Sequence, residues 1–185
     1  MTQTTNNIVS RQIKVGKRSI FINEAGSGYP IIMLHGGGPG ASGLSNFNRN
    51  IAALAEHFYV IVPDMPGYGQ STKGINRADP FGDLADTMLG LMDALQIRQA
   101  HLIGNSYGGA CALRMALDQP HRVSAMILMG PGGINTTRAL PTAGLNQLLS
   151  YYSGEGPSVE KMSNTAVLST AVLHFSTNMA MLSLV

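Results

Sequence analysis

The sequence predicts an α/β protein with a mostly parallel sheet flanked by helices, and three observations carry that expectation. Apolar runs begin at Pro30 (PIIMLHG), Phe58 (FYVIVPD), Ala100 (AHLIGN) and Ser124 (SAMILMG), continuous rather than alternating, as in strands buried on both faces. Amphipathic sequence such as DLADTMLGLMDALQI, Asp83 to Ile97, stands between such runs, in the order of strands joined by crossover helices. Glycine-rich turns follow the strands, as HGGGPG, DMPGYGQS, GNSYGG and GPGG.

Taken in order, Ile8 to Val15 and Ser19 to Asn23 read as two short strands joined around Gly16, an antiparallel hairpin closed by the turn at Gly26 to Gly28. The four apolar runs then supply the parallel strands. Ligands of such sheets bind beyond the carboxyl ends of the strands, so the four glycine-rich loops converge on one rim. HGGGPG lacks the Lys-Ser/Thr ending of a phosphate loop, and its proline breaks the dinucleotide fingerprint, which sets nucleotides aside.

Composition narrows the partners. The 185 residues are 44% hydrophobic, enough for one core. A net charge of +2, with 12% charged residues and no Lys/Arg block, points away from nucleic acid and from an anionic membrane. Small uncharged substrates or weak acids fit better. The single cysteine, Cys111, forms no internal disulfide, and the start MTQTTNNIVSR lacks the basic-then-apolar pattern of a secretory signal, so the expected compartment is the cytoplasm.

The stretch LIGNSYGGAC carries the chemistry. Ser106 stands between Gly104 and Gly108 at the spacing G-x-S-x-G, where a strand ending at Asn105 must turn sharply into a helix. A side chain at either glycine would crowd that turn, and the turn projects the Ser106 hydroxyl from the rim. The helix N-terminus offers the Tyr107 N–H to a developing oxyanion, and HGGGPG offers Gly37, with Gly38 beside it. Asp64 is expected to close the turn after its strand and His35 to bond a neighbouring loop. His121, after a helix-ending proline, is expected at the surface, and Met65, Met126 and Met129 as core filler.

In the order HGGGPGASGLSNFNRN, DMPGYGQS, LMDALQIRQAHLIGNSYGG and LMGPGG, from about Ile13 to Leu149, the chain resembles the α/β-hydrolase fold, and within it the meta-cleavage product hydrolases. The resemblance implies cofactor-independent and metal-free cleavage of a carbon–carbon bond in 2-hydroxy-6-oxo-hexa-2,4-dienoates formed by ring fission of aromatic or steroid compounds. It implies Ser106 as nucleophile, or as neighbour of an activated water, and an oxyanion hole of Gly37 and Tyr107. Gly38, Asn46 and Asn105 would contact the substrate, the two asparagines at its dienoate part. A carboxylesterase or lactonase of the same fold is the alternative, although esterases usually carry another residue before the serine; a third is a fragment without catalysis. A homo-oligomer stays open for a full-length relative.

In this fold the triad acid and histidine follow the serine. After Ser106 the carboxylates are Asp118, Glu155 and Glu160, and the histidines His121 and His174; none stands in the expected context. The division that follows is an α/β-hydrolase core over 1–133, the start of a lid over 134–161, and an uncharged tail over 162–185, with the last strands and most of the lid missing. The resemblance implies a charged lid with an arginine for the substrate carboxylate, and 162–185 holds no counterpart. Hydroxyls, His174 and Asn178 interrupt the tail too often for a membrane anchor, and its abrupt loss of charge fits a shifted reading frame better than an alternative lid. SAMILMG is then expected at an exposed sheet edge, with poor solubility and no turnover by this chain alone.

Overall fold

The computed structural model describes residues 8–132, 170–176 and 179–184. Strands β1 (Val9–Val15) and β2 (Arg18–Ala25) form the expected antiparallel hairpin, turned at Gly16 with φ +56°. The next strands are β3 (Tyr29–Leu34), β4 (Phe58–Pro63), β5 (Ala100–Asn105) and β6 (Val123–Met129). Three helices link them, α1 (Gly43–Leu54), α2 (Pro80–Ala94) and α3 (Tyr107–Asp118), and a short 3-10 turn at Pro120–Arg122 precedes β6.

The sheet order is β1-β2-β4-β3-β5-β6-β7-β8. β4, β3, β5 and β6 run parallel, with β2 antiparallel to β4. The order reverses around β3, so the loops after β3 and β5 open on either side of one crevice, where open α/β sheets place their ligands.

Two of the three helices, α1 and α2, start where the sequence provides partners for the free N–H groups. Ser42 and Ser45 cap α1 reciprocally, and Asp79 caps α2 by accepting from Gly82 N, with Pro80 in the first turn, where its missing N–H costs nothing. That cap explains why α2 begins three residues before the periodic apolar pattern that marks it in the sequence. α2 and α3 cover one face of the sheet, packing Leu84, Met88, Leu91 and Met115 on Ile32, Leu34, Leu102 and Met126. α1 covers the other with Phe47 and Ile51 on Ile31, Met33, Val60 and Val62. Met65 and Met126 are buried as expected, whereas Met129 is only partly buried at the rim.

The tail departs from expectation. β6 is not the sheet edge: Thr170–Ser176 forms β7, antiparallel to β6, and Met179–Leu184 forms β8, antiparallel to β7. TAVLHFS and MAMLSL hold no charge, proline or glycine, so they suit strands as well as their lack of charge unsuits a surface helix. The expected lid start, 134–161, lies outside the described residues.

Candidate active site

Ser106 occupies the elbow between β5 and α3 with φ +48° and ψ −107°, a backbone conformation that costs an L-residue about 1–3 kcal/mol. Its main chain is tied on both sides: Ser106 N donates to Met129 O at 2.8 Å, and Ser106 O accepts from Gly132 N at 2.8 Å and Ala110 N at 3.1 Å. The glycines make the elbow possible. A Cβ on Gly108 would lie 2.1 Å from Leu34 O, and one on Gly104 2.7 Å from Gly109 Cα. Ser106 is exposed, and α3 begins at Tyr107, whose N–H is among those that a helix leaves free.

The loop after β3 faces the elbow. His35 is buried and neutral, its pKa lowered chiefly by burial. Met65 N donates to His35 Nε2 at 2.9 Å, which puts the ring proton on Nδ1, and Nδ1–H donates to Gly36 O at 2.7 Å. The Gly36 carbonyl and the Gly37 N–H belong to one trans peptide and point in opposite directions. By holding the carbonyl, His35 therefore fixes where the Gly37 N–H aims. The histidine bonds a neighbouring loop as expected and in addition orients the peptide that carries the Gly37 N–H.

Asn46 and Asn105 meet. Gly36 N–H can only donate, so the Asn46 atom 3.0 Å from it is Oδ1, and the Asn105 atom 2.8 Å from that oxygen is Nδ2. Asn46 Oδ1 is thus occupied twice, which leaves Asn46 Nδ2 as a donor and Asn105 Oδ1 as an acceptor for a ligand. A Cβ on Gly36 would lie 3.1 Å from Asn105 Nδ2 and 3.6 Å from Ser106 Cβ, so the pair flanks the serine directly.

Asp64 holds the base of the rim. Its Oδ1 accepts from Gly43 N and its Oδ2 from Gln70 N, both at 2.8 Å, and its carbonyl accepts from Ser71 Oγ. Both carboxylate oxygens are engaged in closing loops, the structural task expected of it. Above it Tyr68 packs edge-on to His35 and Tyr107, and its hydroxyl would be 3.0 Å from a Cβ on Gly37. Burial raises the Tyr107 phenol to about 12, so its hydroxyl stays protonated at neutral pH. Sequence reasoning passed over Tyr68; the only signal was its place in PGYG, on the loop facing HGGGPG.

The other expected site residues fall as follows. Gly37 and Gly38 are exposed on the β3–α1 loop, Gly38 with φ +132°. Asp118 pairs with Arg114 at 2.7 Å at the far end of α3, about 18 Å along the axis from Ser106. His121 is exposed in the 3-10 turn at that same end. His174 lies on β7 in register with Ala125, four residues before the rim end of β6. Glu155 and Glu160 lie outside the described residues. Among the described residues no group of three or more potential metal ligands forms, and no helix is long and apolar enough to cross a membrane.

A parallel sheet flanked by helices, with a sharp strand-to-helix elbow opposite a glycine-rich loop, is the arrangement of the α/β-hydrolase fold. Residues 29–157 match the alpha/beta hydrolase fold family, and the chain belongs to it. A 2-hydroxy-6-oxo-6-phenylhexa-2,4-dienoate hydrolase of Comamonas testosteroni is 42% identical over 170 residues, 88% of this chain and 59% of the relative. A 2-hydroxy-6-oxononadienedioate/2-hydroxy-6-oxononatrienedioate hydrolase of a Pseudomonas species is 43% identical over 148 residues, 78% of this chain and 51% of the relative. The solved structure of the phenylhexadienoate hydrolase from Rhodococcus sp. strain RHA1 matches with a TM-score of 0.71 at 32% identity, over 87% of this chain and 58% of that one. The chain thus spans between 51% and 59% of the length of these relatives.

Proposed function

We infer that this chain carries the nucleophile and oxyanion half of a hydrolase that cleaves a carbon–carbon bond in 2-hydroxy-6-oxo-dienoates. The observation that supports this reading most directly is the Asn46–Asn105 pair. It presents one amide donor and one amide acceptor beside Ser106, a match for the carboxylate and the hydroxyl of a 2-hydroxydienoate. An ester or lactone has no group that requires such a pair. The relatives' names describe hydrolases of two kinds of such dienoates, one ending in a phenyl group and one in a second carboxylate.

The chemistry follows from the arrangement. Ketonisation moves a proton to the carbon next to the distal ketone, conjugating the rest of the chain with the new 2-oxo group. Attack on the ketone by Ser106 Oγ, or by a water beside it, forms a carbon–oxygen bond and pushes an electron pair onto the ketone oxygen, where the Gly37 and Tyr107 N–H groups receive it. Collapse of that oxyanion breaks the adjacent carbon–carbon bond, and its electron pair leaves into the conjugated 2-oxo acid as a dienolate. Protonation then gives a hydroxydienoate; where water attacked, the other product is the carboxylic acid itself, and where Ser106 attacked, it is an acyl ester on Oγ that a water hydrolyses to the carboxylic acid and free serine.

The proton of Ser106 needs a base, and in the sequence no acid or histidine after Ser106 stands in the context of a triad partner. The 185-residue chain is therefore expected to bind a dienoate and not to turn it over, beyond the ~10³–10⁴-fold over water that oxyanion hole and binding alone supply. Titration of the chain with the yellow 6-phenyl dienoate tests the reading against p-nitrophenyl acetate. A spectral shift on binding, reduced at least tenfold in Asn105→Ala, is expected. Serine-dependent release of p-nitrophenol with no dienoate binding would reassign the chain to the esterases.

A further inference from the structure

A groove of about 690 Å³ runs between the β3–α1 and β4–α2 loops, lined in part by Gly38, Pro39, Ser42, Tyr68, Lys73 and Tyr107. Ser106 is not in its lining, but Tyr107, the next residue, forms its inner wall, and Gly38, next to Gly37, begins it. The Asn46–Asn105 pair stands on the other flank, against Gly36. The two oxyanion donors therefore separate two subsites. A ketone held by Gly37 and Tyr107, with its dienoate arm at the asparagines, directs its remaining arm into the groove.

The lining is mostly glycine, proline, aliphatic and aromatic surface with one serine and one cation. Lys73 Nζ donates to the Gly69 carbonyl, which anchors the ammonium at the rim and leaves two of its three N–H donors for a ligand. Among the described residues no Asp or Glu lines the groove, so the Lys73 charge has no competing partner there. We propose that this groove receives the acyl arm of the substrate and that Lys73 favours arms ending in a carboxylate, so that a dioate is preferred over a substrate with a neutral arm. The proposal rests on the dienoate reading above and adds the specificity-determining residue to it.

The test uses the 185-residue chain and two coloured ligands of equal length, 2-hydroxy-6-oxononadienedioate and its analogue ending in a methyl group, titrated by absorbance. The dioate is expected to bind about 3–5-fold tighter at low salt, the size of one solvent-accessible ion pair. Lys73→Met should bring the ratio to one and Lys73→Arg should keep it. Raising salt from about 20 to 500 mM should shrink it, which a purely steric effect would not do. Equal binding of both ligands by the wild type, or a ratio unchanged in Lys73→Met, overturns the assignment while leaving the dienoate reading intact. Failure of both ligands to bind overturns both.

Discussion

On β3 and β4 the sheet is closed in from both sides, by α1 on one face and by α2 and α3 on the other, and Ile31, Ile32, Ile61 and Val62 are all buried. On β6 only one face is closed among the described residues: Met126 and Leu128 are buried under the α2–α3 layer, while Ile127, pointing the other way, is 39% exposed. The groups whose direction matters, Gly36, Gly37, Asn46 and His35, all stand on the closed half, where packing density fixes a peptide plane. Ser106 sits at the seam, strained in its φ and ψ and tied to the β6 side through main-chain bonds to Met129 and Gly132. The groups that orient the Gly36–Gly37 peptide and the Asn46 amide thus lie within the closed half.

The difference can be broken hardest at Gly108. A Cβ there would lie 2.1 Å from the Leu34 carbonyl, in backbone that has no room to move, so Gly108→Ala should cost about 3 kcal/mol or prevent folding, read by urea titration. Gly67, on the same rim with φ +93° and nothing within 4 Å, is the control: Gly67→Ala should cost only the backbone strain, about 1 kcal/mol. Equal losses would show that the closed half is not specially packed.

Asn46→Ala comes next. It leaves the buried Gly36 N–H without its acceptor and frees the Asn105 amide, for an expected loss of about 1–3 kcal/mol together with loss of dienoate binding. A stable variant that still binds the dienoate would remove the pair from the site.

Protonation offers a reversible version of the same test. Burial lowers the His35 pKa, so the unfolded chain takes up a proton near the ordinary histidine value of about 6.5 while the folded chain does not. With more protons bound unfolded than folded, stability rises with pH through that window and is lost as pH falls from about 6.5 towards the lowered folded value. Urea midpoints at pH 7.5 and 5.5 should show the loss, and His35→Gln should flatten it. The smallest effect is expected on the open half, where Ile127→Lys should change stability by less than about 0.5 kcal/mol and lower aggregation.

The strands were legible because parallel strands buried on both faces read as unbroken apolar runs, and the elbow because only glycine at 104 and 108 lets a strand turn so sharply over Leu34. The tail was not legible. Absence of charge says that residues 162–185 do not make an ordinary surface helix, but it does not distinguish a hairpin on β6 from a shifted frame, and β7 and β8 took the edge expected to be bare. Within the site, Asn46 and Asn105 stood out through a resemblance, while their direct bond, 59 residues apart in sequence, depends on α1 lying across the rim. His35 read as structural, yet its grip on the Gly36 carbonyl came from the fold. Tyr68 and Lys73 carried no motif of their own, because aromatic and basic residues in a loop are ordinary until the facing loop is in place.

Absorbance of 2-hydroxy-6-oxo-6-phenylhexa-2,4-dienoate in the presence of the 185-residue chain, followed over hours beside Ser106→Ala, tests the central claim most directly. A spectral shift on mixing with no bleaching in either protein is the predicted result. It would show a nucleophile and oxyanion hole assembled without their base. Bleaching that depends on Ser106 would contradict the account, by showing that a residue of this chain already takes the serine's proton.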